Sequence, residues 1–420
     1  MSSSYANLTK KFKEIPLTVV GIDFRIAPSA LRQELVTTSE ERAALFLEIR
    51  KIDSQAEFMA LETCNRVEWI VATVEPQWMS EILKSHMIMI WRNSSTGGLN
   101  FPTPFTHIGA DALFHIFNVV VGKESLATGE AQIAGQFHES CNKARQEKST
   151  GPLLKRLAVA GGRLAKAGSR MGFRSNQKMG IHGLVTRFFQ YRLEEKAQQT
   201  ILVVGMGSIG RKTAQMLRES EKYQVHCFNR TIDDAHKGKW RPLDSLGQFS
   251  ETADGLVIAT GSPSAILGKE LISKRTALAP LMILDIGIPL QVSPELQECE
   301  WIAYNNIDHL MDLPGRQEKE PEGISKLNAE IEKEVELFER FCRERQQEMT
   351  QVVAQLHRGR QEFIRQHIPE MIQGRFSFLE EAERKEIQEA MKELINVYAQ
   401  DIHGSLVEAI TAFGGLKNEP

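Results

Sequence analysis

Cys64 stands in Glu62-Thr63-Cys64-Asn65-Arg66, directly after the apolar run Phe58-Met59-Ala60-Leu61. A lone cysteine is more often a small packed hydrophobe than a nucleophile. Here Thr63, Asn65 and Arg66 are all hydrogen-bonding types, and a guanidinium beside a thiol lowers its pKa toward the reactive thiolate. A second constellation lies far downstream, where Gly205-Met206-Gly207-Ser208-Ile209-Gly210 follows the apolar run Ile201-Leu202-Val203-Val204. In a strand-turn-helix setting the first glycine allows the tight turn. The second lets the backbone approach a pyrophosphate, and the third permits close helix-strand packing. The next strand ends in Asn229-Arg230-Thr231 rather than in an acid. A guanidinium with a hydroxyl suits a ribose 2′-phosphate, which favours NADP over NAD; the competing reading is a solvated surface arginine. Thr260-Gly261-Ser262 falls where the nicotinamide side of such a site would lie. A dinucleotide turn with one activated cysteine elsewhere describes a thioester route: nucleophilic attack, an acyl-enzyme, then hydride delivery to give an aldehyde.

Other residues leave two readings open. His115, between Phe114 and Ile116, reads as a packed imidazole or as a group beside the reacting carbonyl. Glu130 and Gln132, after Gly129, suit substrate binding or a plain helix N-terminus. From Lys148 to Arg192 the chain carries basic residues and no acid, which reads as a solvated helix face or as a contact to an RNA backbone. Spacing typical of a metal site is absent, so no metal is expected.

These groups need elements to position them. Thr18–Ile22 reads as a strand, Thr38-Ser39-Glu40-Glu41 as a capping box opening a helix through Ile49, and Phe58–Leu61 as a buried strand. Val67–Val71 then resumes an extended pattern, so Cys64 sits in a turn. Arg92–Pro104 reads as a loop, and Asp111 to Gln146 as two or three short helices broken by Gly122 and Gly129. From Thr200 strands and helices alternate, the pattern of a doubly wound parallel sheet. After the linker Asp312–Gly315, Leu327, Ile331, Val335, Phe338 and Cys342 recur at helical spacing on a charged background, a seam that needs a partner.

The 420 residues exceed one ordinary core, and three domains are expected: 1–165, 166–312 and 313–420. The fold class is α/β multidomain: an N-terminal α/β catalytic domain, a Rossmann-type NADP-binding domain and C-terminal helices. A net charge of −3 with 25% charged residues does not announce a nucleic-acid binder, and DNA is not an expected partner. Five cysteines without paired spacing, and no signal-like N-terminus, point to a reducing compartment, the cytoplasm. Apolar runs fall short of the roughly 18 residues that a membrane helix requires.

Thr63-Cys64-Asn65-Arg66 with Glu68 resembles the nucleophile motif of the glutamyl-tRNA reductase family. His115-Ile116-Phe117, Gly122–Ser125 and Gly129–Gln136 are similar to its second signature. The glycine turn, Asn229-Arg230-Thr231 and Asp285–Pro289 match as well. The resemblance implies Cys64 as the thioester-forming residue and His115 near the scissile group. It implies Thr63, Asn65, Arg66, Glu68, Ser125, Glu130, Ala131, Gln132 and Gln136 as substrate-binding residues, with Arg66 fixing the glutamate. For NADPH it implies Gly205, Met206, Gly207, Ser208, Ile209, Gly210, Asn229, Arg230, Thr231, Thr260 and Gly261. The implied partners are glutamyl-tRNA, a second copy joined through C-terminal helices that would explain the seam, and a glutamate-1-semialdehyde aminomutase receiving the aldehyde. The chain departs from the family pattern at Asp23-Phe24, where Asn-His is usual, and at Asn118, Lys123 and Leu290. A second reading, from a different class, is a catalytically weak NADP-binding paralogue that regulates tetrapyrrole synthesis.

Overall fold

The computed structural model describes residues 15–93, 101–126, 129–130, 132–173, 180–193, 198–232, 236, 238–272, 279–313 and 323–411. The first sheet is built on β1 (Leu17–Asp23), paired antiparallel to β3 (Arg66–Ala72) and β4 (Phe105–Ile108), with β2 (Glu57–Glu62) outside β3. β1 and β3 are buried at every position, because helices cover both faces. A strand covered on both faces reads as a continuous apolar run rather than an alternating one. Val20, Ile22, Val67 and Trp69 face α1 (Ser29–Glu34), α2 (Ser39–Ile52) and α3 (Pro76–Arg92). Leu17, Val19, Leu61 and Ile70 face the other way, toward α4 (Ala110–Val120), α5 (Gln132–Gln146) and α6 (Pro152–Arg170). The capping box expected at α2 is present: Glu41 N–H donates to Thr38 Oγ1 at 3.2 Å and Thr38 N–H to Glu41 Oε2 at 2.7 Å. The Glu57 carboxylate sits at the start of α6, accepting from the amides of Leu153 and Leu154 at 2.9 and 2.7 Å, where the helix dipole favours a negative charge.

α7 (Ile181–Arg192) leads to the second sheet, which is parallel throughout. Its strands are β5 (Gln199–Val204), β6 (Tyr223–Asn229), β7 (Arg241–Pro242), β8 (Gly255–Ile258), β9 (Leu281–Asp285) and β10 (Ile302–Asn306). The spatial order is β10-β9-β8-β5-β6-β7, with α8 (Ser208–Glu219), α9 (Leu246–Ser250) and α10 (Pro294–Gln297) among the connections. β5 lies between β6 and β8, so the strand order reverses there and a crevice opens at its carboxyl end.

The C-terminal part is helical: α11 (Ile324–Glu362), a π-helical turn at Phe363–His367, α12 (Ile368–Arg375) and α13 (Glu381–Thr411). The seam on α11 corrects one expectation. Leu327, Ile331, Val335, Phe338 and Cys342 are at most 3% exposed and join the core formed by β1, α4 and α6 of the same chain. Polar ties fix this packing: Arg163 meets Glu334 through two bonds of 2.6 Å, and Lys123 Nζ donates to Asn328 Oδ1 at 2.8 Å. The apolar stripe is therefore filled within the chain rather than by a second copy.

Candidate active site

Cys64 lies in the turn between β2 and β3. Thr63 and Arg66 close that turn, Thr63 N–H donating to the Arg66 carbonyl at 2.8 Å, and Thr63 Oγ1 accepts from Asn65 N–H at 3.2 Å. Phe24 N–H holds the Asn65 carbonyl at 2.8 Å. The Cys64 side chain packs with Phe24 against the hydrophobic cluster of the parallel-sheet domain, which includes Met206 of the glycine turn and Ile286 after β9. The nucleophile candidate thus faces the domain that carries the dinucleotide turn.

Behind the turn lies a buried ionic group. Arg66 Nη1 and Glu68 Oε1 are 2.6 Å apart with both side chains fully buried, and Arg66 Nη2 also donates to the Glu124 carbonyl. His115 Nε2 lies 3.1 Å from the same Glu68 oxygen. Burial would raise the Glu68 carboxyl, yet His115 and Arg66 outweigh it and hold it at about 2. Gly21, opposite Glu68 in the register, makes room for this side chain: a Cβ there would sit 2.8 Å from Glu68 Cγ. The His115 ring stacks on His107, with centroids 4.4 Å apart and planes 14° apart, and His107 Nδ1 is 2.5 Å from Asp111 Oδ2. Among the described residues, Asn65 Oδ1, Arg66 Nε, Glu68 Oε2 and Asn118 Oδ1 are buried without a hydrogen-bond partner. Unpaired buried polar atoms of this density call for a polar occupant.

The expected pull of Arg66 on the thiol is present but outweighed. Burial pushes the Cys64 thiol up to about 12, the Glu130 charge adds to the effect, and Arg32 and Arg66 only partly offset it. Arg66 is already neutralised by Glu68. Glu130 is itself raised by burial to about 7. Alkylation of Cys64 by iodoacetamide is therefore expected to keep rising with pH up to 10. Glu130→Gln should accelerate it on the order of tenfold above pH 7, where Glu130 is charged, and leave it unchanged below. The rate against pH, followed by mass spectrometry of the Cys64 peptide, checks this; a plateau below pH 9 would contradict it.

Thr63, Asn65, Arg66, Glu68 and His115 are thus brought together by direct contacts, and Ser125 and Glu130 are buried nearby in sequence to Glu124. Gln132 and Gln136 lie one turn apart at the start of α5, both half-buried, and Ala131 lies outside the described residues. Asp23, at the position of an expected family asparagine, pairs with Arg25, whose Nη1 meets Glu124 Oε2 at 2.6 Å. Sequence reasoning missed Arg32. It is 1% exposed, donates through Nε to the Cys64 carbonyl at 3.0 Å and through Nη1 to the Ala27 carbonyl, and reaches Asp308 Oδ1 at 3.1 Å. Its one sequence signal is a guanidinium after the apolar pair Ala30-Leu31.

At the crevice beside β5, a cavity of about 310 Å³ is lined by Gly205, Asn229, Arg230, Thr231, Thr260 and Gly261, among others. Gly205 has φ +95°, and a Cβ would lie 2.6 Å from the Ala259 carbonyl oxygen; a Cβ on Gly210 would lie 1.8 Å from the Gly205 oxygen. Neither position admits a side chain. Around Gly207 and Gly261 a Cβ would meet nothing, which leaves backbone open to an approaching ligand. Asn229 Oδ1 accepts from Met206 N–H at 3.2 Å and so holds the glycine turn, while Arg230 and Thr231 are exposed at the rim. Ser208 is exposed at the N-terminus of α8, with Ile209 half-buried beside it. Thr260 Oγ1 donates to Gln291 Oε1 at 2.8 Å, and Asp285 gathers the amides of Gly287, Gln291 and Val292 at 3.0, 2.6 and 3.1 Å. These bonds set the loops around the crevice, and the residues fit a dinucleotide.

Residues 20–169 match the family model of the glutamyl-tRNAGlu reductase N-terminal domain, and residues 187–313 match that of shikimate/quinate 5-dehydrogenase. The glutamyl-tRNA reductase of Chloroherpeton thalassium is 27% identical over 77% of this chain and 76% of its own length. That of Bacillus subtilis is 27% identical over 77% and 73%. The chain is similar to glutamyl-tRNA reductases over about three quarters of its length. A solved structure, glutamyl-tRNA reductase from Methanopyrus kandleri, aligns with 94% of this chain and 98% of its own at 21% identity and a TM-score of 0.47. The two family models cover the cysteine turn and the parallel-sheet crevice in turn, and the second domain is of the nicotinamide-dinucleotide type. Among the described residues, no helix is long and apolar enough to cross a membrane, and no cluster of metal-ligating side chains occurs.

Proposed function

We propose that the chain reduces glutamyl-tRNA to glutamate-1-semialdehyde with NADPH through a thioester on Cys64, the entry step of tetrapyrrole synthesis. The observation that carries this reading is the packing of the Cys64 turn against the dinucleotide domain, with the Arg66–Glu68–His115 group directly behind it. The Cys64 sulphur attacks the ester carbonyl, the new C–S bond replaces the C–O bond, and the tRNA leaves from its terminal ribose oxygen. NADPH, when bound, supplies a hydride to the thioester carbonyl, and breaking the C–S bond releases the aldehyde and restores the thiolate.

The chain's own groups divide this work. Arg66 is tied down by Glu68 and the Glu124 carbonyl, so its remaining buried Nε is the atom left for the substrate carboxylate. The α-ammonium of a glutamyl group beside Glu130 would neutralise the charge that holds the thiol up, so substrate binding itself favours the thiolate. His115, fixed by Glu68 and stacked on His107, orients the reacting carbonyl. Thr63, Asn65, Ser125, Ala131, Gln132 and Gln136 complete the glutamyl pocket. Homodimerisation through helices beyond the filled seam, and transfer of the aldehyde to an aminomutase, belong to the same proposal.

NADPH oxidation should require charged tRNA and be absent with uncharged tRNA; oxidation indifferent to the aminoacyl group would sink the reading. Arg230→Ala is expected to weaken NADPH binding about tenfold to a hundredfold, the scale of a lost charge-assisted phosphate contact, while NADH binding stays the same. Fluorescence titration with both cofactors checks it, and equal weakening of the two would remove Arg230 from the 2′-phosphate site.

A further inference from the structure

Three polar residues of α1 reach the dinucleotide domain. Arg32 Nη2 lies 3.1 Å from Asp308 Oδ1, and Ser29 N–H donates to Asp308 Oδ2 at 2.7 Å. Asn306 Nδ2 donates to Ser29 Oγ at 3.2 Å, and Leu290 N–H donates to Gln33 Oε1 at 2.9 Å. Their partners sit at the carboxyl edge of the parallel sheet, Asp308 in the turn Ile307–Leu310 after β10 and Leu290 in the loop after β9. That edge is where the cofactor crevice opens. The same Arg32 guanidinium holds the Cys64 carbonyl at 3.0 Å. One buried cation therefore joins the nucleophile turn to the cofactor domain, across 276 residues of sequence.

We propose that α1 is a clasp between the Cys64 turn and the dinucleotide domain, and that Arg32 and Asp308 are positioning residues for the reduction step. The inference rests on the thioester reading above and adds how the two domains are held in register. Forming the thioester needs only the Cys64 turn and its pocket, whereas reducing it needs the thioester carbonyl at hydride distance from a cofactor held by the other domain. A misplacement of about 1 Å at such a step costs on the order of a hundredfold. Asp308 receives two donors on two oxygens, and an amide offers only one acceptor oxygen. Asp308→Asn thus loosens the clasp without touching the pocket, and the partly exposed side chain tolerates the change.

The test is single-turnover reaction of the full chain with glutamyl-tRNA and NADPH. In Asp308→Asn, tRNA release is expected at the parental rate, while aldehyde formation falls about a hundredfold and glutamate, from thioester hydrolysis, takes its place. Arg32→Lys keeps a cation for Asp308 but loses the fork that reaches the Cys64 carbonyl, so it slows both steps. Equal loss of tRNA release and aldehyde in Asp308→Asn, or loss of neither, overturns the clasp. Amide hydrogen exchange reads it without catalysis: Asp308→Asn should speed exchange in 29–34 and in 307–310 together, with 63–66 unchanged. Unchanged exchange in both 29–34 and 307–310 overturns the clasp. A parent chain that never acylates Cys64 would instead defeat the thioester reading, leaving the exchange result to decide on the clasp.

Discussion

Cys64→Ser is expected to abolish NADPH-dependent reduction of glutamyl-tRNA, by about a thousandfold or more, while leaving the unfolding midpoint within experimental error. The reasoning combines two links. Chemically, a serine hydroxyl is a far weaker nucleophile than a thiolate. A serine ester would also resist hydride reduction more than a thioester does. Structurally, Cys64 occupies a turn whose closure depends on Thr63, Asn65, Arg66 and Arg32 rather than on the sulphur. Stopped-flow absorbance of NADPH with charged tRNA measures the first part and chemical denaturation the second. Reduction undiminished in the serine variant would mean that the sulphur is a packing atom after all.

Arg66→Leu is expected to cost about 3–5 kcal/mol at neutral pH, because it leaves the Glu68 carboxylate buried without its guanidinium. The pH dependence separates this from a simple packing defect. Glu68 is held at about 2 in the folded chain, against 4.5 ordinarily. A depressed carboxyl stabilises the fold above its ordinary value and loses that contribution as pH falls through the folded value. The gap between parent and variant should therefore be widest near neutrality and close between pH 4.5 and about 2. Urea unfolding at pH 7 and at pH 3 checks both the size and the trend. Glu68→Gln in the same background should recover part of the loss, since the buried carboxylate that lacks its guanidinium is then gone. A gap that stays constant with pH would assign the effect to shape alone.

The cysteine turn, the glycine turn and the parallel sheet were legible because each is carried by neighbours in sequence. An apolar run ending in Thr-Cys-Asn-Arg, or one ending in a glycine fingerprint, contains its own local logic. The partners of those motifs were not legible. Arg32 and Asp308 are unremarkable where they stand, and only the fold makes one guanidinium serve both the Cys64 carbonyl and the cofactor domain. The apolar spacing from Leu327 to Cys342 was read correctly as a buried helical stripe, but a periodicity has no address, and the stripe is filled by the chain's own first domain. The net shift of the Cys64 thiol was not legible for a related reason. Arg66 lies two residues away in sequence, yet Glu68 consumes its charge, while burial and Glu130 act on the sulphur. Electrostatic sign depends on all the neighbours in space. Phe24, which stands where the family pattern has histidine, packs like Cys64 against the apolar cluster of the dinucleotide domain.

The most direct test of the thioester account is acid-quenched mass spectrometry of the full chain mixed with glutamyl-tRNA in the absence of NADPH. The expected result is a glutamyl adduct on the peptide containing Cys64, formed as the tRNA is released, which disappears with appearance of the semialdehyde when NADPH is added. Release of tRNA, or oxidation of NADPH at full rate, with the Cys64 peptide unmodified throughout would contradict it.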